Sequence, residues 1–351
     1  MSDQEFFQNR YKQAAAIIMA ELPTVARFIA PAFPADNPLR RETVRFVLEG
    51  GKRFRPALSF VVAQAYGHDE VGIHLALETF HKYLLTHDDI IDRDVMRNGM
   101  PTVHATFAKL REGADDAEHF GNSLGIIAGN LIGAATQRII LESNLPAHTA
   151  RALQILINQA TNEVTWGWAD QFMMDYEPLS SPALTEQRIE ESLVWVTGRY
   201  SIKLPLCFGF AVAGQPTPAD IGEVADTLGL LYQTGDDIMG IFGEQAKTGK
   251  SNSSDLLQGK KTLPLWYAYQ AAPAAQKKVL QQVVGNPQAS DAMLAQARKV
   301  IRTYGLPKTE AKMAEWKTLA HAQLEALQQH IPQELTTFLA GFIDFLVQRD
   351  V

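Results

Sequence analysis

The chain has 351 residues, with 32 Lys and Arg against 39 Asp and Glu, a net charge of −7 and 46% hydrophobic residues. That apolar fraction supports a large core and excludes a disordered chain, and the acidic balance excludes a general nucleic-acid binder. Cys207, the one cysteine, excludes a disulfide scaffold and points to a reducing, cytoplasmic setting.

In chain order, the opening stretch MSDQEFFQNRYK carries acids early and lacks the apolar run of a secretory leader. A break at Gly50-Gly51 leads into Lys52-Arg53-Phe54-Arg55-Pro56. Leu77, Phe80, Leu84 and Ile91 then recur at three- and four-residue steps, the stripe of a helix. After a break at Asn98-Gly99-Met100-Pro101, the longest mostly apolar stretch runs from Ser123 to Leu141. Asn130, Gln137 and Arg138 interrupt it, so it reads as a buried helix rather than a bilayer span. Helical periodicity continues through 151–172, 189–212, 221–242 and 310–327, separated by breaks at 178–182, 214–218 and 246–254. No sustained two-residue alternation points to a sheet. The expected fold is all-α, one helical domain over residues 1–351.

Two segments place acids inside apolar helices. In His87-Asp88-Asp89-Ile90-Ile91-Asp92-Arg93-Asp94, Asp88 and Asp92 stand one turn apart on a face shared with His81 and Leu85. In Gln233-Thr234-Gly235-Asp236-Asp237-Ile238-Met239-Gly240, two more acids are flanked by apolar residues. An acidic pair is either a solvated helix face, as in the polar loop around Asp115-Asp116, or a ligand set. Like charges at this spacing repel until a cation joins them, and hard oxygen ligands without added His or Cys favour Mg²⁺. Gly50-Gly51-Lys52-Arg53 is either a surface loop or a phosphate cradle. The second basic loop, Lys247-Thr248-Gly249-Lys250-Ser251, does not fit a P-loop: five residues rather than four separate Gly243 from the Gly-Lys-Ser, and no strand precedes it.

The ordered set GGKRFRP, HDDIIDRD, GMPTVH, VTGRYSIKLP, GDDIMGIFG, TGK and GKKT resembles the trans-isoprenyl diphosphate synthases, the polyprenyl synthetase family. The resemblance covers most of the chain and is closest to the short-chain geranylgeranyl and farnesyl types. It implies helices around a deep central cavity, a homodimer, and Mg²⁺-dependent joining of an allylic diphosphate to isopentenyl diphosphate. By the same resemblance Lys52, Arg55 and His81 bind isopentenyl diphosphate. Asp88, Asp92 and Asp236 ligate Mg²⁺ with support from Asp89 and Asp237. Arg97, Lys250 and Lys260 contact the allylic diphosphate, and Thr197 and Gln233 line the reacting centre. Diphosphate leaves only when its charge is spread, and no protein nucleophile is required, so Cys207 reads as a core thiol.

The chain departs from the family pattern in places. Asn98 stands where a second Arg is usual, Val196 where a Lys is usual, Gly240 at the last Asp of the second motif, and Asn130 where a Gly-Asp pair is usual. Lys203 is a candidate substitute for the missing Lys. Tyr83, five residues before Asp88, is by resemblance a floor that limits the product to C20 or C15; otherwise it is core or dimer interface. Two rivals remain at this level. A class I terpene cyclase has no need of GGKRFRP or His81. A partner-dependent or non-catalytic subunit is favoured by Asn98 and Val196 and opposed by the retained acids.

Overall fold

A computed structural model describes residues 1–243 and 254–347. Its contacts divide the chain into two compact units. The first holds Asn9–Ile157 and Pro205–Thr217; the second holds Met1–Gln8, Asn158–Leu204 and Pro218–Val351.

The first unit contains most of α1 (Asp3–Glu21), then α2 (Pro38–Leu48), α3 (Phe54–Gln64), α4 (Leu75–Ile91), α5 (Val103–Lys109), α6 (Ala117–Leu141), the start of α7 (Ala147–Asp175) and most of α9 (Leu204–Val212). Asn37 caps α2, its Oδ1 accepting from the backbone N–H groups of Leu39 and Arg40, with Pro38 at the first helical position. The core of the unit is the pairing of α6 with α4 and α5. Gly121, Gly125, Gly129 and Gly133 recur every fourth residue and so share one face of α6. A Cβ on Gly121 would strike the His104 carbonyl and Ala108. On Gly125 it would meet Ile90 and His104, on Gly129 the His87 ring, and on Gly133 the Tyr83 ring at 3.1 Å. Absent side chains let the helices approach closely, and the buried Thr136 hydroxyl, one turn on, bonds Thr79 at 3.0 Å.

Among the described residues, one helix, α6, is long and apolar enough to cross a membrane by length and composition. The glycine face shows its role in the unit: it is the inner helix against which α4 and α5 pack.

The Asn98-Gly99 break forms a two-stranded hairpin, β1 (Met96–Arg97) pairing antiparallel with β2 (Met100–Pro101). The absence of strands expected from sequence therefore needs this one correction. Asn98 and Gly99 have φ of 52° and 75°, the left-handed pair of a type I′ turn, which Asn-Gly adopts at little cost. Two residues per strand are too few to show alternation.

The second unit contains α8 (Glu186–Leu193), a π-helical segment (Val194–Lys203), α10 (Ile221–Phe242), α11 (Ser254–Gln258), α12 (Leu263–Ala271), α13 (Ala274–Val283), α14 (Asp291–Tyr304), α15 (Leu306–Leu327) and α16 (Gln333–Val347). α10 is its hub, packing against the π-helical segment, α15 and α16. Gly198 and Gly229 bring the π-helical segment and α10 into backbone contact. Phe7 sits 5.0 Å from Phe338, 5.1 Å from Phe342 and 5.3 Å from Phe345, ring centre to ring centre, tying the N-terminus to α16.

Candidate active site

Each unit carries one acidic cluster. In the first, Asp88 and Asp89 lie in the last turn of α4 and Asp92 is its C-cap. The hairpin returns Arg97 onto them. Its Nε donates to Asp89 Oδ1 at 2.5 Å and its Nη2 to Asp88 Oδ2 at 3.2 Å, with Asp94 at 3.8 Å. Asp89 is buried. Burial pushes its carboxyl up to about 7, while the adjacent Arg97 pulls it back down. Arg97 thus holds the inner acid, and Asp88 and Asp92, half-buried, form the outer pair.

The same end of this unit gathers cations. His81, two helical turns before Asp88, is held neutral by burial and by the positive field of Arg55, Lys82, Arg97 and Arg53. Arg55 is buried in the first turn of α3, and Lys52 is exposed on the loop before it. The Lys52 carbonyl accepts from the Tyr11 hydroxyl at 2.5 Å. The predicted group Arg55, His81, Arg97, Asp88 and Asp89 is therefore assembled in one place, a positive field beside carboxylates.

Tyr83 faces α6. Its ring lies against Gly133, 6.1 Å from Phe80 and 5.0 Å edge-on from His87, whose Nδ1 pairs with the Tyr83 carbonyl at 3.0 Å. The Asn98 side chain, read from sequence as a lost cation, packs over Gly50, where a Cβ would stand 3.0 Å from its Nδ2. It joins the hairpin to the glycine loop.

In the second unit a hydrogen-bond chain links three predicted residues. Thr197 Oγ1 donates to Gln233 Oε1 at 2.7 Å, and Gln233 Nε2 donates to Asp237 Oδ1 at 2.8 Å. Thr197 belongs to the π-helical segment, a distortion of the i→i+4 ladder that often marks functional sites. Asp237 is buried, which pushes its carboxyl up to about 8; Gln233 opposes the rise, Asp255 and Asp236 add to it, and the Lys260 charge opposes it. Asp236, on the preceding position of α10, is half-buried. Lys261 is structural: its Nζ donates to the carbonyls of Asp175 at 2.7 Å and Gly259 at 2.6 Å. Lys250 lies outside the described residues.

Asp255 of α11 is an acid that the sequence reading did not single out. Its carboxylate occupies the space a side chain on Gly240 would fill. The second motif, short of its last Asp at 240, regains a carboxylate there from a different helix. No local signal marks Asp255, because its neighbour lies fifteen residues away along the chain. Val196 turns its side chain toward Gly167 of α7. Lys203 lies beside Gly222 and in the field of Asp226; Asp226 stands eleven residues before Asp237, about 16 Å along α10.

Among the described residues no three or more His, Cys, Asp or Glu side chains gather in the manner of an all-protein metal cage. Mg²⁺ takes one or two carboxylates and completes its shell with water and substrate phosphates. The outer pair Asp88 and Asp92, and Asp236 beside buried Asp237, fit that donor set.

The sequence model of the polyprenyl synthetase family matches residues 37–301. The chain is 30% identical over 278 residues to the short chain isoprenyl diphosphate synthase of Methanocaldococcus jannaschii, covering 76% of this chain and 77% of that protein. It is 30% identical over 265 residues to the (2E,6E)-farnesyl diphosphate synthase of Mycobacterium tuberculosis, covering 73% and 68%. Among solved structures, the geranylgeranyl pyrophosphate synthase of Corynebacterium glutamicum, complexed with isoprenyl diphosphate and magnesium, superposes with a TM-score of 0.84. The identity is 25%, over 96% of this chain and 99% of that one.

Proposed function

Because the chain belongs to the polyprenyl synthetase family, we propose that it is a trans-prenyltransferase that joins an allylic diphosphate to isopentenyl diphosphate. Its product is a short trans-prenyl diphosphate, C20 first and C15 next. The observation that carries this reading is the gathering of Arg55, His81 and Arg97 at the end of α4 that bears Asp88, Asp89 and Asp92. Cations and carboxylates side by side suit a chemistry that must hold diphosphates and a divalent metal together.

Asp88, Asp92 and Asp236 would hold Mg²⁺, which when bound spreads the negative charge that develops on the departing diphosphate. Arg97 and Lys260 take the allylic diphosphate, and Lys250 is assigned with them. Lys52, Arg55 and neutral His81 take isopentenyl diphosphate; a neutral imidazole can donate one hydrogen bond there without a charge to desolvate. The allylic carbon–oxygen bond breaks with its electron pair leaving on diphosphate. The alkene of isopentenyl diphosphate then bonds to the allylic carbon, and the proton shed by the adduct passes to the diphosphate. Thr197, Gln233 and Asp237 form a preorganised polar chain at the reacting centre, where the allylic cation must be kept from water. Tyr83 is the floor that ends chain growth. The two units act as one synthase domain, consistent with a family match that spans both, and the working form is a homodimer in the cytoplasm.

The test is incubation with Mg²⁺, isopentenyl diphosphate and each of the C5, C10 and C15 allylic diphosphates, with chelator controls and sizing of the products. A discrete Mg²⁺-dependent product of C15 or C20 is expected. No turnover from a folded, dimeric sample would sink the stand-alone synthase and favour a partner-dependent subunit, the alternative that Val196 and Asn98 raise.

A further inference from the structure

Two buried cations meet at the foot of the glycine loop, and neither is among the groups assigned to substrate. Lys82, 3% exposed, donates from Nζ to the Glu49 carbonyl at 2.7 Å and lies 4.8 Å from the centre of the Phe46 ring. Arg53, also 3% exposed, donates through Nη2 to the Leu48 carbonyl at 2.7 Å and through Nη1 to Glu78 at 2.5 Å. Glu78 stands one turn before Lys82 on α4.

Leu48 and Glu49 end α2, where the last carbonyls have no partner within the helix and carry the negative end of its dipole. From there the chain turns through Gly50, Gly51 and Arg53, with φ of 64°, 85° and 55°. A left-handed Arg53 is costly and persists only where its surroundings over-determine it. A buried ammonium is costly as well, and burial brings Lys82 down to about 8. Both costs are incurred at one short segment, the one that presents Lys52 and leads into Arg55.

We propose that Lys82 is a positioning residue for isopentenyl diphosphate: by pinning the Glu49 carbonyl it sets the path of residues 50–53 and so the placement of Lys52 and Arg55. Arg53 and Glu78 form the second anchor of the same path. This rests on the synthase reading above. The Lys82 charge also adds to the positive field at His81, at the end of the unit where Asn98 supplies no charge.

Lys82→Met keeps the apolar stem and removes the donor. Steady-state kinetics should show KM for isopentenyl diphosphate rising about tenfold, the loss of one charged hydrogen bond. The turnover number and KM for the allylic substrate should stay within about twofold. Lys82→Arg, which restores a charged donor, should recover most of the loss. Titration calorimetry with inorganic diphosphate should show weaker binding by Lys82→Met without any need for turnover. An unchanged KM, or equal changes for both substrates with no recovery in Lys82→Arg, overturns the assignment. If the unsubstituted chain yields no product with any primer, the synthase reading fails, and the calorimetric comparison alone decides whether Lys82 positions a diphosphate site. Should Lys82→Met not fold, Lys82→Gln is read in the same way, and unaltered binding there overturns the proposal equally.

Discussion

At the scale of single residues, position and environment separate acids that look alike in sequence. Asp88 and Asp89 are neighbours, yet Asp89 is buried under Arg97 and Asp88 remains partly open. Asp237 is buried on the Gln233 amide while Asp236 is half-buried. Gly240 and Asp255 form a reciprocal pair. Gly240→Ala points a Cβ at the far end of the Asp255 side chain, which can swing aside while the helix gains from alanine, so denaturant unfolding should show a change within about 1 kcal/mol. Strict additivity of Gly240→Ala with Asp255→Ala would argue against the contact. His74 gives a pH prediction. It is fully buried between α3 and α9, its Nδ1 2.9 Å from the Ser59 hydroxyl and its ring beside Phe60 and Phe208. Burial lowers its pKa to about 3. The folded state therefore refuses a proton that the unfolded chain accepts near 6.5, so the stability is present above pH 6.5 and is lost as pH falls toward 3. Between pH 7 and 5 this group accounts for a loss of roughly 2 kcal/mol, which His74→Gln should abolish in denaturant titrations at the two pH values.

At the scale of elements, α6 is decided by its glycines more than by its hydrophobicity. The glycine positions rank by what a methyl group would meet. Gly129 faces the His87 ring more closely than Gly133 faces Tyr83. Gly129→Ala should therefore cost more than Gly133→Ala, about 1–3 kcal/mol for the tighter site, with the order read from thermal unfolding. Tyr83 is wedged between Gly133 and His87, and the floor role proposed for it is tested at this scale. Tyr83→Ala should lengthen the prenyl product, and an unchanged length distribution would remove the floor assignment. The hairpin shows the same logic at smaller size. Asn98, read from sequence as a missing positive charge, is in the structure a left-handed turn residue that seats on Gly50. Asn98→Arg should then cost stability as well as add charge, because a longer side chain loses the turn chemistry Asn provides.

At the scale of the whole molecule, the two chain ends belong to one unit. Phe7 is 1% exposed among Phe338, Phe342 and Phe345, and Gly341 lets α16 approach the Asp3 backbone. Phe7→Ala should destabilise this unit by about 3–5 kcal/mol, the range for a buried phenylalanine. A denaturant midpoint equal to that of the unsubstituted protein would show the aromatic cluster to be dispensable.

The all-helical fold was legible because its signal is local: apolar residues at helical spacing run through α4, α7, α10 and α15, and breaks at glycine and proline separate them. The two acidic motifs were legible for a similar reason, since Asp88 and Asp92, or Asp236 and Asp237, sit within two turns of one helix. The short hairpin escaped, its strands too brief to alternate. Three features depend on residues far apart in the chain, and no local pattern carries them: Asp255 filling the space beside Gly240, Lys203 set in the field of Asp226, and Lys82 pinning the end of α2. Helical periodicity and motif spacing are properties of one segment, and the sequence by itself determined those. Which side chain occupies the space another leaves empty, and which buried charge meets which carbonyl, is settled by packing between segments, and only the tertiary structure could decide it.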